Sequence, residues 1–272
     1  TYLEWVDKKP VIKHTKDSGY YLGNNEYIIA DTEGSASSKK KLFDVVVKTL
    51  EEIAVVKNGV QAYTVGEGTP VCTEEMKNKR VYHSNSKKDS NWIKYLDGVD
   101  VSRYNLGWSG QFIKYGRNLS RPREAELFVN ERILVRQIPS QLPYCIHACF
   151  VDEHLVNDNN SMIIKILNDE RYNVKYILGV LNSSFISFWF AEEFGKLSRK
   201  IFPQFKVKEL RTFPFVAAPM KTQKEFEKIV DRIISGREKN KDTSDLEKQI
   251  DEMVYELYNL TEEEIKIVEA SS

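Results

Sequence analysis

The sequence predicts an α+β fold: a curved, mixed β-sheet region around one buried helix, followed by a C-terminal helical hairpin. Three observations predict it. The middle of the chain holds short β-branched and aromatic runs separated by Gly and Asn/Asp turn signals. Ile177 to Phe190 is apolar nearly all round, as a helix deep inside a core must be. The last quarter carries two apolar stripes at helical spacing.

Taken in order, residues 1 to about 31 alternate short apolar and polar patches and end at Tyr27-Ile28-Ile29-Ala30-Asp31. Thr32 to Lys41 is small and polar, then basic, and reads as a linker. A compact unit is expected from Leu42, which divides the chain into 1–41, 42–218 and 219–272. Leu50, Ile53, Val55 and Val56 lead into the Gly59 to Gly68 segment, which suggests strands and tight turns. Trp92 to Gly98 reads as a packed segment ending at a turn. Ile133 to Ile138 and Tyr144 to Val151 read as strands, Asn157 to Asn160 as a loop, and Ser161 to Leu167 as a further ordered segment. Asn173 to Glu193 is expected to form one buried helix. In the tail, Thr222 with Glu225, Ser244 with Glu247 and Thr261 with Glu264 each match the Ser/Thr-x-x-Glu capping box. Phe226, Ile229, Val230, Ile233 and Ile234 form one stripe, and Leu246, Ile250, Met253, Val254 and Leu257 another. Gly236 to Asp242 separates them, and a short third helix follows Thr261.

Composition narrows the function classes. The 272 residues suffice for one large or two small domains, and 41% hydrophobic with 29% charged is ordinary for a water-soluble protein. Three widely spaced Cys argue for reduced thiols and a cytoplasmic setting. The start at Thr1, not Met, leads us to expect a piece of a longer protein, and no signal-peptide pattern opens it. The longest apolar stretch is 14 residues, against roughly 20 for a membrane span, so no membrane role is expected. Net charge is zero, but it is unevenly spread. From Lys77 to Arg136, 13 Lys or Arg stand against 6 Asp or Glu, a net of +7; from Lys221 onward, 9 stand against 14, a net of −5. A polyanion partner requires one positive face, not a positive total.

Catalytic signatures are few. An amino-directed DNA methyltransferase needs an Asn/Asp-Pro-Pro-aromatic motif to hold the flipped base, and no Pro-Pro pair exists here. Gly66-Glu67-Gly68 is a lone Gly-x-Gly that fits a turn better than a cofactor loop. Glu75-Met76-Lys77 and Glu264-Ile265-Lys266 match the short half of a Mg²⁺ nuclease motif, but such triplets arise by chance in a chain this rich in Glu and Lys. Cys145-Ile146-His147-Ala148-Cys149 would place three zinc-ligand types on one strand face, with Cys72 or His154 as a fourth; buried strand residues explain it better. No catalytic residues, cofactor or metal are expected in this chain.

What remains is a basic, aromatic middle. Its candidate DNA-contacting residues are Lys87, Lys88, Arg103, Trp108, Gln111, Lys114, Tyr115, Arg117, Asn118, Arg121 and Arg123, with Arg199 and Lys200 as a second basic spot. Lys and Arg neutralise phosphates, Arg can pair bidentately with guanine, and Gln or Asn can pair with adenine. Gly107 to Arg123 is expected to be a loop that presents them. The plainer reading packs Trp108, Phe112 and Tyr115 in the core and pairs the arginines on the surface.

An ordered series of segments sharpens the choice. Ile53-Ala54, Gly59-Val60-Gln61 and Tyr95 to Tyr104 come first. Leu181-Asn182-Ser183 in the apolar helix follows, then Phe202 to Leu210, Phe213-Pro214-Phe215 and the helical tail. From about Leu50 to Glu269 this series resembles the target-recognition (specificity) domain of bacterial adenine-specific DNA methyltransferases, above all fused type IIG restriction-modification enzymes, with type I specificity subunits further off. The resemblance implies a DNA-reading domain that does no chemistry. Its expected partners are double-stranded DNA and a methyltransferase domain outside this chain, where S-adenosylmethionine would bind. Base-reading residues do not carry over, because recognition loops vary with the target. Two alternatives stay open: a protein-docking module using the acidic helices, and a metal-dependent nuclease fragment. Replacing Arg117, Arg121 and Arg123 with Ala is expected to weaken DNA binding and flatten its salt dependence.

Overall fold

A computed structural model describes residues 2–6, 9–14, 45, 47–167, 171–195 and 204–271, the first two stretches as backbone. In chain order the strands are β1 (Tyr2–Val6), β2 (Lys9–His14), β3 (Val47–Thr49), β4 (Ala54–Asn58), β5 (His83–Ser84), β6 (Trp92–Leu96), β7 (Val101–Ser102), β8 (Asn105–Leu106), β9 (Phe112–Lys114), β10 (Arg132–Arg136), β11 (Ala148–Val151), β12 (Leu155–Asn157), β13 (Ser161–Ile166) and β14 (Pro214–Val216). The helices are α1 (Leu50–Ile53), α2 (Glu74–Asn78), α3 (Val174–Leu181), α4 (Ser184–Phe194), α5 (Val207–Leu210), α6 (Met220–Glu238), α7 (Ser244–Leu257) and α8 (Glu262–Ala270). β1 and β2 pair as an antiparallel hairpin. The expected linker at Thr32 to Lys41 lies outside the described residues.

The α+β class holds, but the sheet is two sheets. The first, ordered β11-β10-β13-β4, is wholly antiparallel; the second, ordered β12-β6-β9-β5, is mixed, because β12 runs parallel to β6. Strand side chains alternate between faces, and the first sheet buries both. Ile133, Val135, Met162 and Ile164 meet the helices on one side. Leu134, Cys149, Val151 and Ile163 meet Tyr95, Ile113 and Val156 of the second sheet on the other. The layers therefore run helices, first sheet, second sheet, and the apolar helices lie on one face of a sheet, with no sheet wrapped around them.

The expected single helix from Asn173 to Glu193 is broken. α3 and α4 meet at 62° around Asn182 and Ser183. Asn173 caps α3, and Ser183 caps α4 by accepting from the Ile186 N–H. The buried Asn182 amide accepts from the Ala148 N–H and donates to the Ala148 carbonyl, both at 3.0 Å, so its side chain acts as a strand partner at the free edge of β11. The Leu-Asn-Ser signature thus docks the helices onto the sheet. Replacing Asn182 with Ala is expected to cost about 1–3 kcal/mol, the penalty for orphaning the buried Ala148 N–H, since Tyr104 N–H still serves the carbonyl. A urea midpoint equal to that of the unaltered protein would refute this role.

Phe213-Pro214-Phe215 closes the unit. β14 pairs with β3, bringing residues 47–49 and 214–216 together. Phe213 packs its buried ring among Trp189, Phe190 and Phe205, and the Tyr258 hydroxyl donates to Pro214 O. The C-terminal helices form the expected hairpin with a short third helix. Their stripes face inward: Phe226, Val230, Ile233, Ile250 and Val254 are fully buried in the same core as α3 and α4. Gly179 of α3 allows this approach, since a Cβ there would lie 3.0 Å from Phe226 and 3.3 Å from Val230.

Of the three capping boxes, Thr261 with Glu264 forms. The other two do not. α6 starts one turn before Thr222, after Pro219, and Thr243 occupies the cap position of α7 while Glu247 turns into the interior. Cys145 and Cys149 do not share a face. β11 begins only at Ala148; Cys145 packs on the helix side, where its thiol donates to Ser187 O, and Cys149 packs between the sheets. Burial pushes both thiols up to about 12. Among the described residues no cluster of three or more His, Cys, Asp or Glu is placed to hold a metal ion. No single described helix is long and apolar enough to cross a membrane.

Candidate nucleic-acid interface

The second sheet carries Lys94 and Lys114 of the basic middle, with Lys87 and Lys88 in the loop before β6. In β6 and β9, Ile93 and Ile113 face inward, so Trp92, Lys94, Phe112 and Lys114 face outward. This outer face is lined with cation–aromatic contacts. Lys88 Nζ lies 4.6 Å from the centre of the Trp92 ring and covers it. Lys94 Nζ lies 5.0 Å from the Trp108 ring, which meets Phe112 edge-on at 5.2 Å. Lys94 also pairs with Glu153. Trp108, at 39% exposed, is tethered by its Nε1–H to Gln111 O at 2.9 Å. Lys87, Lys88 and Lys114 are exposed.

The segment Gly107 to Arg123, expected as a loop, contains β9; the loop proper follows it. There Asn118 donates to Lys114 O, the Tyr115 hydroxyl donates to Arg123 O, and Arg123 Nε donates to Gly59 O. Arg117 points to solvent. Arg121 is exposed but forked onto the Glu67 carboxylate at 3.1 and 3.2 Å. The loop is therefore tied down by its own polar groups. Of the three rings that the packing reading placed in the core, Tyr115 is half buried against Phe128 and Phe112 is half buried, while Trp108 is exposed.

Two candidates fall elsewhere. Arg103 leaves the set. It sits at the tip of the β7–β8 hairpin, stacks at 3.7 Å over Tyr144, donates to Asn182 O and pairs with the buried Glu247 carboxylate. An arginine of this sequence context looks exposed until the helix 144 residues later is folded against it. Arg199 and Lys200 lie outside the described residues. Gln111 leaves β9 on the side opposite Phe112 and Lys114. There its Oε1 accepts at 3.2 Å from Nη2 of Arg80, a residue that sequence pattern does not single out. Nothing in Asn78-Lys79-Arg80-Val81 signals this; Arg80 reaches Gln111 because its backbone turns through a left-handed conformation, φ 46°.

The ionisable groups beneath the surface are held neutral or shifted by burial. His83 is lowered to about 4 by burial, helped by Arg80, and bonds the Tyr63 hydroxyl at 2.9 Å; Tyr63 is pushed up to about 12, also by burial. His83 therefore adds no positive charge here at neutral pH. Asp158, in the turn between β12 and β13, is raised to about 6 by burial, against the lowering effect of bonds from Asn160 and with Asp97 adding to the rise. Its folded value exceeds the unfolded one, so its contribution is fully present below about pH 4 and is lost as pH rises through about 6. The unaltered protein should therefore gain on Asp158→Asn as pH falls from 7 to 4, by on the order of 2 kcal/mol. Melting temperatures that track each other across that range would contradict this.

Residues 93–215 match the family model described as the TaqI-like C-terminal specificity domain. The fold is similar to that of the type IIL restriction-modification enzyme MmeI, solved in complex with DNA, at 14% identity and a TM-score of 0.51, over 80% of this chain and 35% of that one. Weaker likenesses link it to the type I restriction-modification S subunit of M. genitalium (12% identity, TM-score 0.36, 71% of this chain, 39% of that one) and to the HsdS subunit of Thermoanaerobacter tengcongensis (9%, 0.36, 83% and 52%). The chain spans about a third of the length of MmeI. No curated protein matches the sequence.

Proposed function

We propose that this chain is the double-stranded-DNA-reading part of a restriction-modification protein, a reading supported by the match of residues 93–215 to the family model described as the TaqI-like C-terminal specificity domain. The catalytic part, an adenine-specific methyltransferase domain that binds S-adenosylmethionine, would lie outside it. The observation that carries the reading is the outer face of the second sheet, which lies partly within that matched segment. Lys88, Lys94 and Lys114 flank Trp92, Trp108 and Phe112 there, and exposed Arg117 follows in the next loop. Such a face neutralises phosphates and releases counterions while its sheet stays rigid. The apolar stripes of the C-terminal helices face the core, so a protein partner would have to dock on their charged faces. The reading is tested by measuring binding to random-sequence duplex DNA at rising ionic strength. Binding should weaken steeply with salt. No binding at low salt, by this chain and by the longer protein that carries it, would overturn the reading.

A further inference from the structure

Arg80 is exposed, yet it is not loose. Its left-handed backbone is pinned at both ends, its N–H donating to Lys77 O at 3.1 Å and its carbonyl accepting from the His83 N–H at 2.8 Å. Its guanidinium is braced from two sides. Nη2 donates to Gln111 Oε1 at 3.2 Å and lies 3.8 Å from Asp97 Oδ1. The Gln111 backbone is anchored, its carbonyl accepting from both the Tyr95 N–H and the Trp108 indole. The Asp97 backbone is anchored by its N–H, which donates to Asp100 Oδ2 at 2.9 Å.

The chemistry of this arrangement is one-sided. Arginine only donates, so Gln111 must turn its oxygen to Arg80 and its amide N–H groups outward. Arg80 keeps Nε, Nη1 and one Nη2 hydrogen unused. What the pair shows to solvent is therefore mainly donors, arranged on a planar fork whose rotamer is already set. The base edge that answers two parallel donors is guanine, with O6 and N7 both accepting in the major groove. A phosphate would answer them too, but it needs no bracing: exposed lysines such as Lys87 and Lys114 suffice for phosphate contacts. Bracing an arginine from a carboxylate and an amide lowers the ordering cost of a geometrically strict contact.

On the reading of the chain as a DNA reader, we propose that Arg80 recognises a guanine, and that Gln111 and Asp97 are positioning residues that hold it for that contact. The experiment selects the preferred duplex from a randomised library, using the longer protein that carries this chain, and then compares single-base variants of that duplex. In the unaltered protein at least one position should demand guanine. Arg80→Lys keeps the charge and loses the fork, so it should relax that position by roughly 5- to 150-fold while leaving the salt dependence in place. Gln111→Ala should relax the same position less, with other positions unchanged. Uniform weakening across all duplexes in Arg80→Lys, or unchanged preference at every guanine, would overturn the inference while leaving the DNA-reading function intact. Salt-dependent binding with no preferred sequence in the unaltered protein would overturn both.

Discussion

Replacing Glu247 with leucine should cost about 3–5 kcal/mol, the loss expected when one partner of a buried ion pair is removed and the other charge is left uncompensated. The expectation rests on where the carboxylate sits. Its side chain is 3% exposed and that of Arg103 only 9%. It accepts from Arg103, from Arg237 Nε at 3.1 Å, and from the Thr243 hydroxyl. Arg103 in turn donates to Asn182 O and lies on the Tyr144 ring, while Tyr144 donates to Asp251 Oδ2 at 2.7 Å. One carboxylate therefore joins the β7–β8 hairpin, the break between α3 and α4, and helices α6 and α7. Arg237, 42% exposed, can swing into water when Glu247 is lost; Arg103 cannot. The double substitution Arg103→Met with Glu247→Leu should recover most of the loss, since a packed apolar pair avoids the desolvation of both charges. Urea unfolding of the three variants decides it. A single-variant loss below about 1 kcal/mol would show that the pair contributes little. pH gives an independent check. Burial opposes the Glu247 charge, but Arg103, Thr243 and Arg237 outweigh it and hold the carboxyl below the usual range. The stability it contributes is thus present above the unfolded carboxylate value and fades as pH falls through its lowered folded value, opposite in sign to Asp158.

This node also shows where sequence reasoning stops. Local signals were legible: the stripes of α6 and α7, the Thr261 cap and the strand runs of β10 and β13 each declare themselves within a few residues. The bend between α3 and α4 did not, because apolar residues continue across it, and only the docking of Asn182 on Ala148 shows why the chain must break there. The capping box at Ser244 failed for a related reason. Its glutamate has the right spacing for a cap, yet Arg103, far away in sequence, holds it in the interior. The division of one expected sheet into two depended on which of two layers each alternate residue meets, which spacing alone does not state. The basic middle was legible as composition, but not its sorting into an outward sheet face, a tied loop, a buried arginine and a braced one.

That sorting changes which basic residues should matter for DNA. Arg117, Arg121 and Arg123 look equivalent in sequence, but Arg121 is already forked onto Glu67 and Arg123 Nε serves the Gly59 carbonyl. Arg123 also adopts a left-handed backbone, φ 63°, so replacing it disturbs a turn as well as a charge. Lys88, Lys114 and Arg117 are exposed cations on or beside the outer sheet face and, like Lys87, have no ion-pair partner among the described residues. Changing these three to Gln should lower the salt slope of duplex binding by about 0.9 for each phosphate no longer neutralised, or roughly 2.7 in all. Over a change from 50 to 200 mM salt, that slope difference means the advantage of the unaltered protein shrinks by roughly 40-fold. Arg121→Gln should move the slope far less, because its charge is offset by a neighbour, whereas Glu67→Gln should raise affinity by releasing Arg121 for the backbone. Equal slopes in the triple variant and the unaltered protein would place the phosphate-binding surface elsewhere. A slope that falls as much in Arg121→Gln as in the triple variant would mean that the Glu67 pair opens on binding, and that the loop after β9 is remade around the DNA.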